Sequence, residues 1–487
     1  MVFNSYIFVL FFLPVTLIGY FALNHFRKEK YAKIFLIGMS LWFYAYFHFS
    51  YLFIILASIL FNYGCSKILE NSSIKSSVRR TSLYVGILVN IGVIFYFKYF
   101  DFFLENIHWL LKEDYVTKNI LMPLGISFFT FQQISYLVDA YHKETKKYSF
   151  VDYALFVSFF PQLVAGPIVL HDELIPQFND PAKKKVNQEK MAWGIYLFAI
   201  GLFKKVMLAD LLGKAVDFGF SNIVGLGAVD TIIVMLCYTL QIYFDFSGYS
   251  DMAIGIAGMF QIDLPLNFNS PYKAFSVTEF WKRWHMTLTR FLRKYVYFPL
   301  GGSRRGYVKT LINIMIVYLI SGIWHGAAWT FILWGLWHGL IRVFEKVFDS
   351  VLQKIPRFIR WIGTFLFINL SWVLFRASSL KDAISMYGNL TKSWTDGVQS
   401  VLMQQFDILE FTYIEEHIHF LLQLVNHAPW LNMALVIAGA CTIALIPRNC
   451  HEKEFHPSLL NAFGSVVLLV WCVMSFSGLS TFLYFNF

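Results

Sequence analysis

Hydrophobic positions in this chain come in blocks rather than in alternation. Runs of 17 to 20 mostly apolar residues recur from one end to the other, separated by short polar stretches. Each run is long enough to cross a ~30 Å hydrocarbon layer as a helix. The first extends from Tyr6 to Leu23 and is followed by Arg27, Lys28, Lys30 and Lys33. A cleavable signal carries its positive charge ahead of the apolar run and ends in small residues. Neither feature is present, so an uncleaved first span is expected, with its N-terminus outside and the basic loop inside. Residues 34–66 predict two spans with a tight connection near His48, because the next basic loop (Lys67, Lys75, Arg79, Arg80) must also lie inside. Further spans are predicted near 81–97, 120–138, 191–209, 229–248, 310–325, 327–341, 361–375, 430–446 and 463–485. The stretch 150–168 is apolar but broken by Pro161, Gly166 and Pro167, which predicts a re-entrant or kinked segment buried among other helices. The pattern gives an all-α polytopic membrane protein with about twelve transmembrane helices, and an even count returns the C-terminus to the outside.

Composition agrees with this pattern. Of the 487 residues 57% are hydrophobic and only 14% charged, whereas a soluble protein is roughly a quarter charged. A soluble globular chain, a disordered chain and a disulfide-stapled scaffold are all excluded, since the five cysteines are scattered with no CxxC pair. The formal charge of +10 fits basic cytoplasmic loops better than a nucleic-acid partner. Residues 263–309 carry nine Lys/Arg against Asp263 and Glu279, while 376–428 carry three Lys/Arg against six Asp/Glu. The first loop should be cytoplasmic and the second external, in agreement with the parity of spans. No linker or low-complexity tract interrupts the chain, so residues 1–487 read as a single membrane domain.

Candidate chemistry concentrates in two segments. From Ser321 to Gly339 the chain reads SGIWHGAAWTFILWGLWHG, which sets His325 and His338 in apolar sequence beside Gly322/Gly326 and Gly335/Gly339. These GxxxG spacings let helix backbones approach closely, and ionisable residues at membrane depth usually mark a functional cavity. Were the two histidines on one helix, their side chains would point about 220° apart, which argues against a shared metal. No metal site is expected. The segment from Glu279 to Gly302 alternates cationic and aromatic residues at helical spacing and contains His285. It reads either as a basic helix lying against anionic membrane lipid or as a cytosolic mouth that captures phosphate through Arg283, Arg290 and Arg293.

Weaker signals complete the inventory. Asp245 and Asp251 sit at the end of an apolar span, as helix caps, ion-pair partners of the basic segment or substrate contacts. His171-Asp172-Glu173 and Glu415 to His419 lack HExxH spacing and read as solvated loop residues. No P-loop, GxSxG elbow or dinucleotide fingerprint is present.

The stretches Pro123–Gln132, Phe160–Pro167, Gln241–Met252, Leu266–Pro271, Glu279–Gly302 and Ser321–Gly339 together strongly resemble the membrane-bound O-acyltransferase (MBOAT) family. The likeness is closest to its bacterial branch of alginate and peptidoglycan O-acetylase membrane components, and covers about residues 1 to 345, with the core near 81–345. It implies a tunnel through the bilayer, with acetyl-CoA as acyl-donor substrate entering from the cytoplasm and no bound cofactor. The acceptor would be a polysaccharide on the outer side, reached through an extracytoplasmic SGNH-type acetyltransferase partner, and the protein would reside in the bacterial inner membrane. The family's invariant histidine falls on His325, as general base, with His338 supporting it. His285 stands where many eukaryotic members have asparagine, and Trp324 and Asp245 would line the substrate path. No motif matches 376–428. The tail Thr481–Phe487 reads on physical grounds as an interfacial aromatic belt. It also resembles the C-terminal motif of a small accessory protein in teichoic-acid D-alanylation, which implies Tyr484 as a covalent acyl relay. Two alternatives remain at this level: D-alanyl transfer to teichoic acid, and a proton-coupled lipid or polysaccharide transporter.

Overall fold

Backbone in hydrocarbon must satisfy its own hydrogen bonds, and helices do this within one segment. The computed structural model describes residues 1–452, 454–476, 482 and 483, and among them there is no strand. The principal helices are α1 (Leu13–His25), α2 (Glu29–Ala45), α3 (Ser50–Glu70), α4 (Ser76–Ile94), α5 (Phe100–Leu111) and α6 (Ile126–Tyr141) in the first part of the chain. They continue as α7 (Gln188–Phe203), α8 (Ala228–Met259), α9 (Tyr307–His325), α10 (Trp329–Val347), α11 (Arg357–Arg376), α12 (Leu431–Leu445) and α13 (Leu459–Met474). Among the described residues seven helical stretches are long and apolar enough to cross a membrane. The shorter or more polar α2, α6, α7, α10 and α13 fall where the sequence predicts further crossings. The interrupted stretch also behaves as expected. Phe150–Ser158 and Phe160–Leu163 are short helices, and the chain from Ala154 to Leu170 is buried.

Helix α8 is the axis of the protein and is buried over most of its length. Helix α7 lies against it at glycine contacts: a Cβ on Gly194 would sit 2.6 Å from Gly255 O, and one on Gly201 would sit 2.6 Å from Gly248 O. Immediately after α7 the backbone makes a π-helical turn, Lys204–Ala209. From it Lys204 reaches Asp251 and Lys205 reaches Asp245 on α8, each at 2.6 Å. Two adjacent lysines are thereby neutralised inside the protein.

The basic segment does not lie flat on a membrane surface with its aromatic face in lipid. It folds as two short helices, Val277–Arg283 and Met286–Leu292, joined at Trp284 and His285. Phe280, Trp281, Trp284 and His285 are all buried. The acidic region 376–428 forms four short helices; Ala383, Met386 and Leu402 from two of them, and Phe406 just after the second, enter the core.

Helices α9 and α10 form a tight hairpin, and the glycine spacing in the sequence is its cause. A Cβ on Gly335 would lie 2.5 Å from Tyr318 O and 3.0 Å from Gly322 Cα. Backbone cannot yield as a flexible side chain can, and overpacking costs typically ~1–3 kcal/mol. Gly335→Leu should therefore lower the melting temperature in detergent by several degrees. Gly439→Leu, where a Cβ meets nothing within 4 Å, should leave it unchanged.

Candidate active site

Helix α9 stops at His325 because Gly326 is extended (φ −164°, ψ 156°), and α10 begins three residues later. His325 is 3% exposed. Its ring is boxed edge-on by Trp324, Trp334 and Phe375 at centroid distances of 5.0, 5.1 and 5.1 Å. The last carbonyls of α9 are held from another helix: Lys98 Nζ donates to Trp324 O (2.7 Å) and His325 O (2.9 Å), and the Tyr99 hydroxyl donates to Ile323 O (2.8 Å).

His285 sits in a left-handed backbone conformation (φ 44°), which turns the chain sharply between the two short helices. Its Nδ1 lies 3.1 Å from Asn267 Oδ1, an oxygen that also accepts from the Thr287 hydroxyl at 2.9 Å and from Thr287 N at 3.3 Å. An amide oxygen only accepts, so Nδ1 carries the hydrogen and Nε2 keeps its lone pair. That Nε2 is buried with no hydrogen-bond partner, and the indole of Trp324 lies between it and His325, 6.0 Å from the His285 ring. His285 thus offers an acceptor to a substrate hydroxyl or water.

His338 is bonded at both nitrogens. Trp281 Nε1 donates to its Nδ1 at 3.2 Å, and indole only donates. Nε2–H therefore faces Ser371 Oγ at 3.0 Å, whose hydroxyl donates onward to Ile368 O. His338 packs 4.7 Å from Trp334, which in turn touches His325. With both nitrogens bonded, it forms part of the wall around His325.

Asp245 shares the cavity with His325, walled also by Trp334, Trp372 and Phe375. It is paired with Lys205 and accepts a 2.9 Å hydrogen bond from Leu483 N. Phe482 stacks on Tyr249 at 4.8 Å and lines the same cavity. The tail therefore reaches the histidine, although Tyr484 itself lies outside the described residues.

The three arginines singled out in the sequence lie outside the His325 cavity. Arg283 bonds Glu279 at 2.9 Å; Arg290 bonds Glu173 at 2.8 Å and Ile168 O at 3.1 Å; Arg293 lies over the Phe298 ring. None lines the His325 cavity. A separate cleft of about 670 Å³ opens between the start of the Val277–Arg283 helix, the end of α10 and the start of α11. Arg342, Lys346 and Arg360 line it beside Glu345 and Asp349; Arg342 Nη1 bonds Glu345 at 3.1 Å, while the Nε atoms of Arg342 and Arg360 are buried without a partner. Its inner end is Phe367, whose ring lies 5.1 Å from His338. A column of rings, Phe367, His338, Trp334 and His325, joins the cleft to the histidine.

One expectation is corrected. His171 is not a solvated loop residue: it is 2% exposed, with Nε2 3.2 Å from Asp139 Oδ2. Asp139 also meets Tyr295 OH and Lys294, so this polar cluster anchors the basic segment to α6. Asp251, Cys450 and His451 bring three potential metal-ligand atoms within 4.8 Å. Lys204 and His451 take the two Asp251 oxygens, which accounts for the group as an ion-pair network. Sequence reasoning missed Lys98, although a lone lysine in an apolar run is a usable signal, and missed Asn267, Trp281 and Ser371, whose roles depend on distant partners.

The family model described as MBOAT, membrane-bound O-acyltransferase family, matches residues 72–381. The chain is 38% identical to the peptidoglycan O-acetyltransferase of Helicobacter pylori, over 100% of this chain and 98% of that protein. It is 36% identical to the probable alginate O-acetylase AlgI of Pseudomonas aeruginosa, over 80% of this chain and 74% of the relative. The teichoic acid D-alanyltransferase of Bacillus subtilis is 26% identical, over 48% of this chain and 62% of that protein.

The Asn267 oxygen serves both His285 and Thr287, so Asn267→Ala strands buried donors at a cost of about 1–3 kcal/mol each. A clear fall in melting temperature is expected, with Asn267→Asp retaining more stability because an acceptor remains.

Proposed function

Because this chain belongs to the membrane-bound O-acyltransferase family, we propose that it carries an acetyl group from cytoplasmic acetyl-CoA to hydroxyls of an extracytoplasmic polysaccharide, peptidoglycan being the first candidate. The observation that carries this reading is His325, buried at a helix break in a cavity that the C-terminal tail also enters. Similarity to a peptidoglycan O-acetyltransferase over nearly the full length of both proteins supports that acceptor over alginate. D-alanyl transfer has less support, since that relative aligns over about half of this chain. The bacterial inner membrane is the setting such a reaction needs, and an SGNH-type partner outside would complete the delivery.

His325 acts as general base, a role that a buried neutral imidazole suits better than a carboxylate. In the relay form of the reaction it accepts the Tyr484 hydroxyl proton as the phenolate oxygen attacks the thioester carbonyl. The C–S bond breaks, coenzyme A leaves as the thiol after taking that proton, and acetyl-Tyr484 remains. A phenolate leaves more readily than an alkoxide, so onward transfer to a sugar hydroxyl is favourable. Docking of Phe482 and Leu483 beside His325 supports the relay. The donor's phosphates fit the cleft at Arg342 and Arg360. At about 1.5 Å rise per residue, α10 sets Arg342 roughly 20 Å from Trp329, a span suited to an extended pantetheine arm. Arg283 and Arg290 then serve by holding the basic segment in place.

Loss of a general base typically costs 10²–10⁴-fold in rate, so folded His325→Ala should lose acetyl transfer by that factor. After incubation with labelled acetyl-CoA, mass spectrometry should find label on the C-terminal peptide of the native protein and not of Tyr484→Phe. Full glycan acetylation by Tyr484→Phe would leave direct transfer at His325. For the donor cleft, Arg342→Gln with Arg360→Gln should raise KM for acetyl-CoA about tenfold or more, as expected for charge-assisted bonds worth ~1.5–3 kcal/mol. KM for S-acetyl-pantetheine, which lacks the nucleotide, should not change.

A further inference from the structure

We propose that Lys98, assisted by Tyr99, is a positioning residue for His325: it holds the open end of α9 inside the protein and so fixes where the imidazole points. This rests on the reading of His325 as the base. A helix ends with carbonyls that have no partner within the helix, and where the last residues are buried, as Trp324 and His325 are, water is not at hand to solvate them. The extended Gly326 carries the chain away from α9. Three consecutive carbonyls at the end of α9, those of Ile323, Trp324 and His325, are instead bonded by Tyr99 and Lys98. A lysine in a membrane span is costly and calls for a dedicated partner, and here the partner is the peptide unit of the proposed base itself.

The backbone around Lys98 is built for this contact. Between α4 and α5 the chain makes a π-helical turn, Phe95–Tyr99, an irregularity often found at functional sites. Neighbouring residues of a regular helix point about 100° apart, yet Lys98 and Tyr99 both reach the same helix end. Both α4 and α9 begin after basic loops assigned to the cytoplasm, so they run in one direction and their ends meet at one depth. The clamp grips the main chain of the histidine from one side, while Trp334 and Phe375 confine its ring from the other. A displacement of ~1 Å at a reacting group can cost 10²-fold in rate, so loss of the clamp is expected to act on turnover rather than on donor affinity.

The experiment uses the full-length protein purified in detergent, with acetyl-CoA and a glycan acceptor. Lys98→Met keeps the apolar stem and removes every donor; Lys98→Arg can again bond two carbonyls. Lys98→Met should lower kcat 10- to 100-fold with KM for acetyl-CoA within about twofold, and Lys98→Arg should recover most of the loss. Tyr99→Phe, which removes one hydroxyl, should lower kcat a few-fold, and it decides the question should Lys98→Met fail to fold. On a His325→Ala background Lys98→Met should have no further effect, because it acts through that histidine. Unchanged kcat in folded Lys98→Met, or in Tyr99→Phe where that variant stands in, would overturn the clamp. So would a loss that Arg does not restore, or one that persists on the His325→Ala background. Full activity of His325→Ala would instead overturn the general base, whatever Lys98 does.

Discussion

A helix that ends inside packed protein leaves carbonyl groups that water cannot reach. In this protein that constraint falls on α9, which stops at His325, and much of the architecture around the site answers it. The glycine hairpin draws α10 back against α9 at Gly322 and Gly335. The π turn in the α4–α5 helix brings Lys98 and Tyr99 to the bare carbonyls. What remains between these supports is a single histidine ring held among aromatic neighbours, in a place where a regular helix would have allowed no break.

Charge inside the protein follows the same rule of local compensation. Lys205 is paired with Asp245, and that carboxylate takes the Leu483 N–H. Lys204 and His451 share Asp251. A buried ion pair is weak evidence for stability, because desolvation offsets much of the attraction. Its use here is to fix positions: Asp245 ties the tail to the wall of the His325 cavity, and Asp251 ties the loop after α12 to the central helix. Both lysines come from one π-helical turn, as Lys98 comes from another.

The sequence reveals segments better than partners. Long apolar runs, the prolines at 161 and 167, the paired glycines and the apolar setting of His325 are local signals, and each has its counterpart in the fold. The arginines show what sequence alone leaves open. Arg283 and Arg290 stand out in a basic run, and the fold pairs them with Glu279 and Glu173. Arg342 and Arg360 look ordinary in sequence, yet both line an open cleft, Arg342 paired there with Glu345. His171 departs from its sequence expectation for a related reason. Its polar neighbours in sequence suggest solvent, while Asp139, which pairs with it, lies on a different helix. Asn267 falls within a matched stretch, yet its hold on His285 depends on the fold.

The column of rings from Phe367 through His338 and Trp334 to His325 bears on the energetics of the cell as well as on chemistry. A protein that meets its donor on one face of a membrane and its acceptor on the other must not become a leak for protons or ions. The rings of the column pack against one another, and the two bonds to His338 from Trp281 and Ser371 keep its ring from swinging aside. On the proposed reading the same packing acts as an electrical seal between donations, parted only as far as the donor's own arm fills the gap. An acyl group can then be handed on while the ion gradient across the bilayer is preserved.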